Sequence, residues 1–221
     1  MVSPVYPVRL RGVGGVNLIN GRSHVIMTDK PTTQSSGSIT TDSDPIELRT
    51  PDCEAGIGVV IDSPQSTELI NGVMVHSFPL WPDDRGYFLE VARIGEGLPH
   101  EFPPASTQIS AALSYPGTIK AFHYHLKQTD FWVPVKGMMQ IALVDLRVSS
   151  STFGVRNTFY VGIMRPWQIL IPPGVGHGYK VIGNDSAMLV YVTHRTYNPK
   201  DEGRLPHEDE RINYDWEIQH K

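Results

Sequence analysis

The sequence has little cysteine, no basic excess and no long apolar run, and each absence excludes a class of protein. One cysteine, Cys53, stands among 221 residues, which excludes an intrachain disulfide and a cysteine-based zinc site. The formal net charge of −4 argues against binding to nucleic acid. No apolar run approaches the ~20 residues that span a membrane, and the N-terminus lacks a signal-peptide pattern. We therefore expect a cytoplasmic protein that binds neither nucleic acid nor membrane.

Sustained helical periodicity is also missing, whereas 20 glycines and 18 prolines fall between short apolar runs. From residue 73 onward these runs follow one another closely, and we predict that each forms a strand. The ten predicted strands are 73–78, 87–93, 106–114, 118–124, 130–136, 138–146, 157–161, 168–171, 178–181 and 187–193. Short strands at this spacing, separated by turn residues, predict an all-β sandwich or jelly-roll barrel.

Residues 1–72 differ in composition from the rest and are predicted to form an N-terminal extension. Residues 28–50 are rich in Thr, Ser, Asp and Pro, a composition that predicts a loop or an extended arm. Two short strand-like pieces, 13–19 and 58–61, flank it. The extension is either loosely ordered or an arm that adds strands to a partner subunit. We therefore divide the chain into the extension, 1–72, and a barrel domain, 73–221.

Histidines supply the first sign of a functional site. His123 and His125 alternate along one predicted strand, so both side chains point to the same face. Asp130 opens the next strand, and His177 follows a Pro-Pro-Gly turn on a later hairpin. Three imidazoles and a carboxylate would suit Zn, Ni, Mn or Fe(II), so these four residues are candidate metal ligands.

The spacing of these residues resembles the two cupin motifs, which predicts the double-stranded β-helix of the cupin barrel. Five residues separate Gly117 from His123, and four separate His125 from Asp130. The stretch from residue 172 to His177, Pro-x-Gly-x-x-His, resembles the second motif. Asp130 stands where metal-binding cupins usually carry Glu, and its shorter side chain places its oxygens about one methylene further from a metal.

Several further segments resemble the dTDP-4-dehydrorhamnose 3,5-epimerase family within the cupins. The segments that carry the resemblance are DRGYFLE at 84–90, VDLR at 144–147, STFG at 151–154, IPPGVGHGY at 171–179, YNP at 197–199 and the ending at 209–216. Together they cover roughly residues 73–217, and as a set they are specific.

The resemblance implies an isomerase that inverts C3 and C5 of a 4-keto-6-deoxy sugar attached to dTDP, through an enolate. By position, His123 matches the base and Tyr191 the proton donor on the opposite face. Arg85, Glu90 and Gln108 match residues that bind the nucleotide. The resemblance also implies a homodimer, in which Arg85 could reach the neighbouring site.

Some residues depart from the family pattern and leave alternatives open. Lys120 replaces an Arg and can still meet a phosphate, as a point charge. His125 replaces a Gln, Asp130 replaces a Lys near the enolate oxygen, and the acidic partner of the base is expected to be absent. Three hypotheses follow: a metal-free sugar-nucleotide epimerase, a metal-dependent cupin isomerase, lyase or oxygenase, and a sugar-binding cupin without catalysis. A metal would compete with the base role for His123.

Overall fold

The computed structural model describes residues 46–217, which form strands, turns and loops but no helix. Residues 46–217 therefore contain no helix that could cross a membrane. Its strands are β1 Val59–Val60, β2 Met74–Ser77, β3 Leu80–Asp83, β4 Gly86–Leu89, β5 Gln108–Ser114, β6 Ile119–His125, β7 Asp130–Lys136, β8 Met138–Asp145, β9 Arg156–Gly162, β10 Trp167–Ile171, β11 Val175–Ile182, β12 Ala187–Thr193 and β13 Glu202–Arg204.

Two sheets make up the barrel. One has the order β1-β9-β8-β11-β6-β13 and the other the order β2-β10-β7-β12-β5, while β3 and β4 form a separate hairpin. Neighbouring strands run antiparallel except for β1, which pairs with β9 in parallel. Side chains of both sheets, such as Met139 and Phe159 of one and Ile169 and Leu189 of the other, share one buried cluster. The predicted all-β, jelly-roll class is confirmed.

The predicted strands and the observed ones agree closely where the apolar pattern is strong. β7 and β12 have the predicted bounds, and β8 differs by one residue at its end. The sequence pattern missed β3 and β13, which are four and three residues long and largely polar or exposed. β13 pairs with β6, which lies 77 or more residues earlier in the chain, whereas β3 pairs with β4 across a tight turn. Neither strand carries an apolar pattern of its own that would reveal it.

The N-terminal extension lies mostly outside the described residues, including the strand-like piece at 13–19 and most of the loop at 28–50. Of the part that is described, β1 pairs with β9, and the side chains of Ile61 and Ile70 are fully buried in the barrel core. The division of the chain at residue 72 stays a prediction.

One segment of the family resemblance has a structural role. Asp145, fully buried at the end of β8, accepts hydrogen bonds from Arg147 Nε at 2.8 Å and from the hydroxyls of Ser150 and Thr152 at 2.6 Å each. Burial alone would raise the pKa of Asp145, but these hydrogen bonds outweigh it and lower the pKa. The carboxylate thus fixes the loop that follows β8.

Candidate active site

A cavity of about 460 Å³ opens between the two sheets and collects most of the predicted site residues. Predicted residues that line it are Gln108, Lys120, His123, His125, Asp130, His177 and Tyr191. Four further lining residues, Gln128, Trp132, Glu202 and Arg204, carry polar groups that the sequence analysis did not assign to the site.

Strand register explains why these residues meet. His123 and His125 lie two apart on β6, and His177 of β11 stands directly opposite His123 in the same sheet. Asp130 opens β7 in the facing sheet, where Tyr191 of β12 pairs with Trp132 of β7. His123 and Tyr191 therefore reach the cavity from different sheets.

Three of the four candidate metal ligands form a compact buried group. The Asp130 Oδ2 atom lies 3.8 Å from His125 Nε2 and 3.5 Å from His177 Nε2, and one ligand atom from each residue fits within 4.8 Å of the others. Among the described residues, 46–217, this is the group of His, Cys, Asp and Glu that could hold a metal ion, and His123 is not one of its members.

The tautomer of His177 follows from its partner. His177 Nδ1 lies 3.0 Å from the carbonyl oxygen of Val175, which can only accept, so Nδ1 donates and Nε2 presents its lone pair to the group. Burial lowers the pKa of His177 to about 4, with Asp130 opposing that effect and His125 adding to it. The ring is thus neutral at pH 7, the form in which imidazole binds metals.

Gln128 and Trp132 surround the carboxylate of this group. The Gln128 side-chain nitrogen donates to Asp130 Oδ1 at 2.7 Å and lies 3.1 Å from His125 Nε2. The Trp132 indole nitrogen donates to Asp130 Oδ2 at 3.2 Å. The charge of Asp130 is therefore met by two neutral donors.

His123 has a partner of its own. Its Nδ1 lies 3.1 Å from Glu202 Oε1, and Arg204 Nε donates to the same oxygen at 2.6 Å. Burial lowers the pKa of His123, with the Glu202 carboxylate opposing that effect and Arg204 adding to it. The expectation that the base lacks an acidic partner is therefore wrong: β13 pairs with β6 and brings Glu202 to the histidine.

Gln108 lines the cavity and joins two segments of its wall. Its side chain donates to Ser110 Oγ at 3.1 Å and accepts from the backbone N–H of Tyr197 at 3.0 Å, which ties β5 to the segment after β12. The ammonium group of Lys120 lies 6.0 Å from the centre of the Tyr179 ring. An amide and an ammonium group thus both line the cavity.

Two predicted substrate-binding residues, Arg85 and Glu90, lie away from the cavity. Arg85 sits in the turn between β3 and β4, where its side chain is 82% exposed and pairs with Asp83. Glu90 pairs with Arg93 at 2.7 Å beside a second pocket. Neither residue lines the cavity that contains His123, so within one chain the structure does not bring them to the site.

Comparison with known proteins supplies the remaining observations. A family model described as dTDP-4-dehydrorhamnose 3,5-epimerase matches residues 67–221. The spore coat polysaccharide biosynthesis protein SpsL of Bacillus subtilis (strain 168) is 44% identical over 150 residues, which are 67% of this chain and 97% of SpsL. The dTDP-4-dehydrorhamnose 3,5-epimerase of Shigella flexneri is 30% identical over 158 residues, 68% of this chain and 84% of that enzyme.

A solved structure of ChmJ, a 3'-monoepimerase from Streptomyces bikiniensis in complex with dTDP-quinovose, shares the fold. It is 27% identical with a TM-score of 0.57, over 65% of this chain and 74% of ChmJ. The likeness extends over most of the part of the chain that forms the barrel.

Proposed function

Since the chain belongs to the dTDP-4-dehydrorhamnose 3,5-epimerase family, we propose that it epimerises a 4-keto sugar carried by a nucleoside diphosphate. The family makes it an isomerase of the epimerase type. Supporting the substrate class, the Shigella flexneri relative is named for a dTDP-sugar, and the ChmJ structure holds dTDP-quinovose. The observation that carries the proposal is the His123–Glu202 pair, 3.1 Å apart in a cavity that Tyr191 also lines.

In this mechanism His123 is the base. A carbonyl acidifies the neighbouring C–H, so the neutral imidazole removes that proton and leaves an enolate. The depressed pKa of His123 keeps the ring unprotonated at neutral pH, and Glu202 then stabilises the imidazolium that forms. This is the role that an acid partner has in other His-based sites, where it also fixes the orientation of the ring.

Tyr191 is the proposed proton donor. Inversion requires that a proton returns to the carbon from the face opposite the base, so the two groups must approach the sugar from different walls. The origin of His123 and Tyr191 on different sheets supports this assignment. The phenol of Tyr191 carries the proton that the enolate takes.

The diphosphate is assigned to the cationic side of the cavity. Lys120 and Arg204 both line it, and a guanidinium and an ammonium are the groups that bind phosphate oxygens. Gln108, which also lines the cavity, would hydrogen-bond the nucleoside.

A second copy of the chain completes this proposal. Arg85 and Glu90 are separate from the cavity of their own chain, so we propose a cytoplasmic homodimer in which Arg85 serves the neighbouring site. The exposed apolar side chains of Trp81 and Phe88 on the same hairpin as Arg85 support a contact there.

A second candidate function, metal-dependent cupin chemistry, is favoured by one observation. His125, Asp130 and His177 offer two imidazole nitrogens and a carboxylate oxygen within 4.8 Å, a donor set that fits Zn, Ni, Mn or Fe(II). A cation held there would act as a Lewis acid on a carbonyl oxygen. His123 lies outside this group and pairs with Glu202, so the ligand role of the three and the base role of the fourth do not exclude each other.

Solvent deuterium exchange tests the proposed function directly. The protein is incubated in D₂O with a 4-keto-6-deoxy sugar nucleotide, and loss of the C3 and C5 proton signals is followed by NMR. We expect exchange that His123→Ala abolishes and that His100→Ala, at a histidine whose side chain is 56% exposed, leaves unchanged. Absence of exchange with the wild-type protein, or exchange that survives His123→Ala, would contradict the proposal.

A further inference from the structure

Gln128 lies in the loop between β6 and β7, beside the group formed by His125, Asp130 and His177. Its side chain is buried, with 6% of the residue exposed, and its nitrogen contacts both His125 and Asp130. A buried amide in contact with two of three candidate ligands determines what else those ligands can bind.

Chemistry fixes the orientation of this amide. A carboxylate only accepts hydrogen bonds, so the group 2.7 Å from Asp130 Oδ1 is the amide nitrogen and not its oxygen. The same nitrogen lies 3.1 Å from His125 Nε2, and an amide nitrogen cannot accept. His125 Nε2 is therefore the acceptor, and its single lone pair is directed at Gln128.

A metal ion would need that same lone pair. An imidazole nitrogen has one lone pair, which lies in the plane of the ring, so it binds either an N–H donor or a cation. Asp130 Oδ2 and His177 Nε2 face each other across 3.5 Å and are not contacted by the Gln128 amide. The competition between Gln128 and a cation thus concerns His125 in particular.

We propose that Gln128 keeps the His125–Asp130–His177 site in a metal-free state by occupying the lone pair of His125. The inference deepens the proposed function, on whose candidate cation site it rests. Gln128 thereby determines whether a cation takes part: with its amide in place, His123 and Tyr191 carry out the proton transfers without one. A cation enters only when the amide is displaced.

The expected effect follows from one hydrogen bond. Metal binding to the wild-type protein must break the contact between Gln128 and His125, and a hydrogen bond of this kind corresponds to about tenfold in an equilibrium constant. Removing the amide should therefore tighten metal binding by about tenfold. Gln128→Glu replaces the donor with a carboxylate beside Asp130, which should tighten binding further because it adds a fourth ligand.

The test measures metal binding without substrate. Wild-type protein and Gln128→Ala, Gln128→Leu and Gln128→Glu are titrated with Zn²⁺ by calorimetry and with Co²⁺ by its visible absorption, which reports nitrogen and oxygen ligands. Gln140→Ala is the matched control, since Gln140 is also a buried glutamine, 3% exposed, but donates to Tyr214 away from the site. Adding His125→Ala to Gln128→Ala shows whether the tightened site uses His125.

The expected result is weak Zn²⁺ and Co²⁺ binding by the wild-type protein and by Gln140→Ala, tightened about tenfold in Gln128→Ala and lost with His125→Ala. Unchanged affinity in Gln128→Ala and Gln128→Leu would overturn the proposal. So would a wild-type protein that retains one equivalent of metal which Gln128→Ala loses, because Gln128 would then be a ligand or a support for one. If Gln128→Ala does not fold, Gln128→Leu, which lacks the donor, adds no ligand and keeps most of the side-chain volume, decides by the same comparison.

Failure of this inference and failure of the proposed function are distinguishable. The titrations contain no sugar nucleotide, so a protein that lacks deuterium exchange can still show the affinity difference. Conversely, exchange by wild-type protein in the presence of a chelator would support the base role of His123 whatever Gln128→Ala does to Zn²⁺ binding.

Discussion

Glu202→Gln removes the charge from the partner of His123 but keeps an amide oxygen in its place. Hydrogen bonds to charged groups contribute about 1.5 to 3 kcal/mol and neutral ones about 0.5 to 1.5, so the imidazolium loses roughly 1 to 1.5 kcal/mol of stabilisation. The side chain of Glu202 is 11% exposed, so solvent screens the lost charge little. We expect kcat for C–H exchange to fall about tenfold, since 1.4 kcal/mol corresponds to a factor of ten.

The pH profile of the same variant gives an independent readout. His123 acts unprotonated, so wild-type activity should decline as the pH falls through a pKa that lies below the ordinary 6.5. Glu202 raises that pKa against the effects of burial and Arg204, so the acidic limb of Glu202→Gln should move to still lower pH while its plateau drops. A substitution that only loosened the fold would lower the plateau without moving the limb in this direction.

Glu208→Gln is the matched control, because the Glu208 side chain is 83% exposed and belongs to no site. NMR-detected exchange is measured for both variants across pH 4 to 8, with kcat and KM fitted separately. The reasoning is refuted if Glu202→Gln keeps the wild-type plateau and limb, or if Glu208→Gln loses as much.

Three further predictions concern the donor, the buried imidazole and the loop after β8. Tyr191→Phe should retain exchange of the proton that His123 removes but lower epimerisation by about 10²- to 10⁴-fold, measured by comparing deuterium incorporation with product formation. The pKa of His177 is near 6.5 in the unfolded chain and about 4 in the folded protein, so the free energy of unfolding should fall by about 3 kcal/mol as the pH falls from 6.5 to 4. Urea unfolding midpoints measure this loss, and His177→Asn should make it smaller. Asp145→Ala should cost about 3 to 5 kcal/mol of unfolding free energy in the same urea assay, because it leaves the buried side of Arg147 unpaired.

The fold could be predicted because its core strands carry their own signal. β7 and β12 are apolar runs bounded by turn residues, and they pair with each other at the centre of their sheet. β13 carries no such signal: its three residues, Glu202–Arg204, are mostly polar, and they form a strand because β6 offers a free edge. Pairing between segments that are 77 or more residues apart is a tertiary property that local patterns do not report.

The site could be predicted in part: the histidines and Asp130 carried a signal, and their partners did not. Alternation on β6 and the spacing to Asp130 and His177 indicated a convergent group, and the cavity contains all four residues. Gln128 gave no signal, because a single Gln in a short loop has the composition of a solvated turn. The acidic partner of His123 gave no signal either, because Glu202 reaches His123 from β13, through strand register and not through sequence order.

The replacement of a family Lys by Asp130 is compatible with an enolate once the neighbours of Asp130 are counted. A bare carboxylate beside the developing negative charge would oppose it, as the sequence alone suggests. In the structure both Asp130 oxygens accept hydrogen bonds, one from Gln128 and one from Trp132. These neutral donors stabilise the negative charge of the carboxylate. His125, the other departure, receives the second contact of the same Gln128 amide. The two departures are therefore linked through one side chain, and a variant that restores the family Lys at 130 should require a change at 128 as well, because Lys cannot accept the hydrogen bonds that Gln128 and Trp132 donate.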